Sequence, residues 1–142
     1  MNDASQDQTP QDQTQFVRKV MPLCATLGVT AQTVTSELVA LALEWQPELC
    51  TSNGMLHGGA IMALADSAGG TCAFLNLPEG AAGTSTIESK TNFLGAVRSG
   101  SVVASSRPLH VGRTTMVIET EVHAGAKLVA KVTQTQSVLQ PK

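Results

Sequence analysis

Between Asn53 and Asn76 the chain reads NGMLHGGAIMALADSAGGTCAFLN, and from Ala60 to Leu77 the only polar side chains are Asp66, Ser67, Thr71 and Asn76. A segment of helical length that is apolar nearly all round belongs inside a protein. The pattern predicts a central helix that opens at the glycine-rich turn His57-Gly58-Gly59 and stops at Asn76-Leu77-Pro78. A carboxylate in such a helix is costly to desolvate and rarely sits there without a partner or a task. Asp66 therefore asks for an explanation.

Upstream, Phe16, Val17, Val20, Met21 and Cys24 recur at helical spacing, with Arg18 and Lys19 on the other face. This predicts a short amphipathic helix, disturbed by Pro22 and ended by Gly28. Residues 1 to 12, MNDASQDQTPQD, are rich in Gln and Asp and are expected to be a disordered tail, leaving 13–142 as a single domain. From Thr33 to Trp45 the period changes to two, with Val39, Leu41, Leu43 and Trp45 on one side. That is a strand, paired with an earlier one around Leu27 to Val34. After the central helix come four strand candidates, Gly83 to Leu94, Ser101 to Leu109, Thr114 to His123 and Lys127 to Leu139. Gly112-Arg113 and Gly125-Ala126 carry Gly where a type II′ hairpin turn requires it, so the last three strands should form an antiparallel meander. The fold class is α+β: one antiparallel sheet of five to six strands with one long apolar helix across it. The helix's remaining apolar side needs another surface, most cheaply a second copy of the chain.

The length, 142 residues, suits one domain with a sizeable core. Aromatics make up 3% and Tyr is absent, so stacking platforms for bases, and nucleic acid as a partner, are not expected. The net charge of −2 divides into −6 before Gly83 and +4 from there on, a polarity that suits an anionic ligand or simply solvated strands. Cys24, Cys50 and Cys72 form no CxxC pair and suggest neither a disulfide framework nor a zinc site. A reducing, cytoplasmic setting is expected, since the first residues lack a basic-then-apolar leader. Asp66, Gly69 and Gly70 interrupt the central helix, so no membrane span is expected there.

The chemistry concentrates at His57 to Ser85. The first turn of a helix leaves backbone N–H groups unpaired at the positive end of the dipole, and glycine lets a ligand oxygen approach them. Gly58 and Gly59 can therefore polarise a carbonyl and hold the oxyanion formed on attack. Asp66 lies seven residues beyond Gly59, about 10 Å along the axis at ~1.5 Å per residue. That is too far to share one substrate carbon, whereas a two-fold dimer with antiparallel helices brings Asp66 of one protomer opposite Gly59 of the other. Ser67 sits in no Gly-x-Ser-x-Gly elbow, and His110 and His123 have no partner at metal-ligand spacing, so neither a serine triad nor a metal is implied.

The runs LHGGAIMALADSA, TSTIESKTNFL and VGRTT together resemble the hotdog-fold acyl-CoA thioesterases. Within them the chain is most similar to the PaaI-like (phenylacetate-pathway) branch of the 4-hydroxybenzoyl-CoA thioesterase group, over residues 27–139. The resemblance implies a hotdog fold, the sheet wrapped around the central helix, and hydrolysis of an acyl-CoA thioester to acid and CoA without metal or redox cofactor. It implies that Gly59 N–H binds the thioester carbonyl, that His57 shapes the turn, and that the partner's Asp66 is general base or nucleophile. Ser85 falls where relatives hold a hydroxyl near the water, though Thr84, Thr86, Ser89 and Thr91 surround it. Relatives place an amide six residues before the His; here Thr51 stands there and Asn53 is offset by two. Lys90, Arg107 and Arg113 are the cations expected at the CoA phosphates. A homodimer, or a dimer of dimers, follows. Two competing readings are a non-catalytic acyl-CoA sensor or carrier, which gains little from a free carboxylate, and an enoyl-CoA hydratase, whose Asp precedes its His, the reverse of the order here.

Overall fold

In the computed structural model, which describes residues 8–142, the chain starts with a helix where a tail was expected. Residues 1–7 of that expected tail lie outside the described residues, but Pro10 to Asp12 already form the first turn of α1 (Pro10–Val20). Local chemistry overrides composition here. Thr9 and Asp12 make a reciprocal capping box, Asp12 N to Thr9 Oγ1 at 3.2 Å and Thr9 N to Asp12 Oδ2 at 3.1 Å, ahead of a Pro that suits the first helical position. Donation from the Thr9 hydroxyl to Asp12 Oδ2 at 2.7 Å, and then from Thr9 N–H, holds the Asp12 carboxyl below its ordinary range. Val17 is buried, and Arg18 Nε donates to Val29 O at 2.8 Å, tying the helix to the body. The Pro22 disturbance is a full break. A second helix, α2 (Pro22–Leu27), starts on that Pro and ends at Gly28, whose φ of 76° is left-handed.

Strands β1 (Thr30–Val34) and β2 (Val39–Glu44) pair antiparallel. The second starts at Val39 rather than at Thr33, because Thr35 closes a tight turn with Leu38 through backbone and hydroxyl. Then follow α3 (Gly58–Leu75), β3 (Gly83–Phe93), β4 (Ser101–Val111), β5 (Thr115–Ala124) and β6 (Lys127–Leu139). The six strands form one antiparallel sheet in the order β1-β2-β4-β5-β6-β3. The β4-β5-β6 meander is as expected. Gly125, at φ 59°, fits a primed hairpin turn, whereas Gly112 does not adopt positive φ. The β4–β5 link is a three-residue turn, Gly112 to Thr114, in which Gly112 N–H donates to Thr115 O at 2.9 Å; a Cβ on Gly112 would sit 2.7 Å from that oxygen.

Helix α3 lies on the inner face of the sheet. Ile61, Leu64, Ala65, Ala68 and Cys72 pack against Leu41, Leu43, Val102, Met116, Ile118 and Val122, and each large aliphatic among them contributes about 1.5–3 kcal/mol. By length and apolarity α3 would suffice to cross a membrane, but half of it is buried in this packing. Burial covers only one side. Gly59, Met62, Asp66 and Phe74 form an exposed stripe along the other, and β3, at the sheet edge beside it, is exposed over most of its length. This open side is the one for which the sequence reading expects a further surface.

Candidate active site

The first turn of α3 is built largely from neighbouring residues. His57 caps the helix, its Nδ1 accepting from Gly59 N–H at 2.7 Å, which places the proton of the neutral ring on Nε2. The carbonyl of His57 takes the N–H groups of Ala60 at 2.9 Å and Ile61 at 3.2 Å, and its own N–H goes to Leu49 O at 2.8 Å. Among the described residues, Gly58 N–H is the first-turn donor left without an acceptor. The expected donor, Gly59, is already engaged by the histidine ring. The loop before the helix is pinned by Trp45 Nε1 to Gly54 O at 3.1 Å and by Arg98 Nη1 to Asn53 O at 2.6 Å. Asn53 sits at φ 66°, a left-handed conformation that Asn tolerates. Thr51, Met55, Gly58, Ile61, Phe93 and Gly95 line a cavity of about 320 Å³ at this end of the helix. A Cβ on Gly58 would lie 3.0 Å from the Phe93 ring.

Further along the exposed stripe stands Asp66, held by residues distant in sequence. Its Oδ1 accepts from Gln134 Nε2 at 2.5 Å and from Thr86 Oγ1 at 3.3 Å. Gln134 Nε2 also donates to Thr86 Oγ1 at 3.2 Å, as does Gln136 Nε2 at 2.8 Å, and Thr84 Oγ1 donates to Gln136 Oε1 at 3.0 Å. Both glutamines are buried. Among the described residues Asp66 Oδ2 has no protein partner. A second cavity, about 490 Å³, opens beside this network. Its walls include Phe16, Val20, Met21 and Phe74, with Thr84, Thr86 and Gln136 at its polar side.

The sequence-derived residues divide accordingly. His57, Gly58, Gly59 and Thr51 gather at the helix start; Asn53 lends its backbone to the loop that leads there. Ser85 does not join Asp66. It pairs with Ser137 on the outer face of the sheet, and Thr86, one residue on, reaches the carboxylate, because successive strand residues face opposite ways. Lys90 and Arg107 also lie on the outer face, in register with Thr133 and Glu119, away from α3. Lys90 Nζ donates to Asn92 Oδ1 at 2.6 Å. Arg113 is exposed in the β4–β5 turn. The structure therefore does not bring these three cations to the helix. Gln134, Gln136 and Thr86 are the residues the sequence reading missed. A signal for the glutamines exists: in KVTQTQSVL they share the phase of Val132 and Val138, the buried one. Cys72 lies on the buried face of α3, where burial pushes its thiol up to about 11 against the pull of Arg107 and so disfavours the reactive thiolate. Among the described residues no three His, Cys, Asp or Glu side chains cluster as a metal site would need.

Comparison with known proteins adds the following. The profile of the thioesterase superfamily matches residues 53–131. ComA2 of Bacillus subtilis, an esterase candidate by name, is 30% identical over 101 residues, covering 71% of this chain and 80% of that one. A Pseudomonas aeruginosa esterase candidate, PA1618, is 32% identical over 91 residues, 64% of this chain; the match spans 63% of that relative's length. The crystal structure of a PA1618 variant, described as a thioesterase, gives a TM-score of 0.83 at 26% identity over 94% of this chain and 96% of that one. A variant of the phenylacetic acid degradation protein PaaI from Thermus thermophilus gives 0.77 at 25% identity over 83% and 99%.

Proposed function

The chain belongs to the thioesterase superfamily, and from that membership we propose that it hydrolyses an acyl-CoA thioester to the free carboxylic acid and CoA. One observation carries the reading: a carboxylate on an otherwise apolar helix stripe, tied down through Oδ1 and open at Oδ2. Two protomers meet along this stripe and the free edge of β3, with their helices antiparallel. Asp66 of one then faces the first turn of α3 in the other, in keeping with the ~10 Å that separates the two within a single helix.

The thioester carbonyl sits at the partner's first turn. Its oxygen takes the free Gly58 N–H, and Gly59 N–H as the His57 ring gives way. Asp66 Oδ2 accepts a proton from water as the water oxygen bonds to the acyl carbon. The oxyanion is held by the backbone donors and the helix dipole. Collapse breaks the C–S bond, and the proton on Asp66 passes to the departing thiolate. The alternative role of Asp66, attack through Oδ2 to give a mixed anhydride that water then opens, uses the same atoms. The apolar cavity beside Asp66 takes the acyl group, which suits medium-chain or aryl acids.

The test is a panel of phenylacetyl-, benzoyl-, hexanoyl- and octanoyl-CoA with thiol release as the readout. At least one should turn over in the wild type, and none above background in Asp66→Asn, which should still bind CoA thioesters. Turnover of none by the wild type, with binding retained, favours the sensor or carrier reading instead.

A further inference from the structure

We propose that Gln134 is a positioning residue that turns Asp66 Oδ1 into the fold and Oδ2 outward, and that Gly69 is a glycine in order to seat it. The proposal rests on the reading of Asp66 as the catalytic carboxylate. An amide inside an apolar core is unfavourable unless its hydrogen bonds are made. Gln134 is wholly buried, yet its Oε1 has no partner among the described residues. The unpartnered oxygen follows from what the other end of the amide does. Both Nε2 hydrogens are committed, one to Asp66 Oδ1 and one to Thr86 Oγ1. Flipping the amide would press Oε1 against the carboxylate.

The neighbouring bonds support the same orientation. Thr86 has one hydroxyl proton and two lone pairs, and both lone pairs are taken, by Gln134 and by Gln136. Its proton then goes to Asp66 Oδ1. The Gln136 amide turns its Oε1 to Thr84, whose hydroxyl also lies 3.1 Å from Ser137 O. Two donors thus converge on one oxygen of Asp66. A helix-surface aspartate otherwise rotates freely about its last torsion; this one cannot, and Oδ2 becomes the reactive oxygen. Gly69 completes the arrangement. It lies on the buried face of α3, and a Cβ there would lie 2.0 Å from Gln134 Oε1. Alanine is the better helix former at such a position, so the glycine is explained by the amide it admits.

The experiment uses the full chain, phenylacetyl-CoA and octanoyl-CoA as probes, and thermal melts to verify folding. Gln134→Met removes the donor at similar length. Gly69→Ala removes no polar group and only displaces the amide. Each should lower kcat about 10- to 100-fold, with KM within about threefold of wild type. In Gln134→Ala, adding Gly69→Ala should cause no further loss, because the group it displaces is gone. If Gln134→Met fails to fold, Gly69→Ala carries the test alone. Full kcat in the folded variants while Asp66→Asn is inactive overturns the positioning role and leaves the Asp66 reading intact; so does a loss confined to KM. Activity in Asp66→Asn, or hydrolysis of none of the four acyl-CoAs of the panel by the wild type, overturns both.

Discussion

The two chemically equipped places on the exposed face of α3 are built in opposite ways. The first turn is assembled from neighbours: His57 caps Gly59 two residues on, and Gly58 supplies the free donor. Asp66 is held by Thr86 and Gln134, 20 and 68 residues away. The first kind of site is written in one short motif. The second exists only once β3 and β6 have folded beneath the helix. Local sequence specifies the donor, and long-range packing specifies the aim of the base.

The largest expected effect tests the distant site. Asp66→Asn keeps an oxygen for Gln134 and Thr86, so the fold should persist while hydrolysis falls about 10²- to 10⁴-fold. A variant that melts early instead would make Asp66 a structural residue. Next comes the local site. Gly58→Pro deletes the free N–H at a position where Pro suits a helix, and the half-exposed Phe93 ring can yield to the new atoms. A loss of about 10²- to 10³-fold in kcat is expected, larger than for Gly59→Pro, whose N–H His57 already occupies. The reverse order would make Gly59, once released by the histidine ring, the principal donor and Gly58 the lesser one.

The contrast also explains what could be read before folding. The α+β class, the single sheet, the β4-β5-β6 meander and the helix from the glycine turn to Asn76 all follow from periodicity and from residues a few positions apart. So does a disturbance at Pro22, though not that it divides the helix in two. Where reading failed, a local bond or a distant contact decided. Thr9 and Asp12 turned a polar tail segment into a capped helix. Thr35 shortened a strand. Nothing in the run of hydroxyls around Ser85 and Thr86 reveals which face is inward; the register with β6 does. Gln134 looks solvated in a polar strand, and its shared phase with Val132 and Val138 is the one local sign of burial.

Smaller effects sharpen the picture. His57→Ala removes the side-chain cap of α3 and should cost about 1 kcal/mol, measured by denaturant unfolding. No loss would mean that water caps Gly59 equally well. The least perturbing test probes the packed face of α3 without mutation, with a loop cysteine as the reference. At neutral pH a thiol reagent should label Cys50 quickly and leave the buried Cys24 and Cys72 until denaturation. Burial keeps Cys72 protonated until pH approaches about 11. Fast labelling of Cys72 would show that the packed face of the helix opens.

A subunit-mixing assay probes the shared site most directly. Asp66→Asn and Gly58→Pro protomers, each inactive alone, are mixed in equal amounts, exchanged and assayed by thiol release. If the carboxylate and the backbone donor come from different protomers, half of the dimers are mixed and each restores one intact site, so about a quarter of wild-type activity should return. If activity stays at background although exchange is verified, each site draws both groups from one chain, and the dimeric active site is wrong.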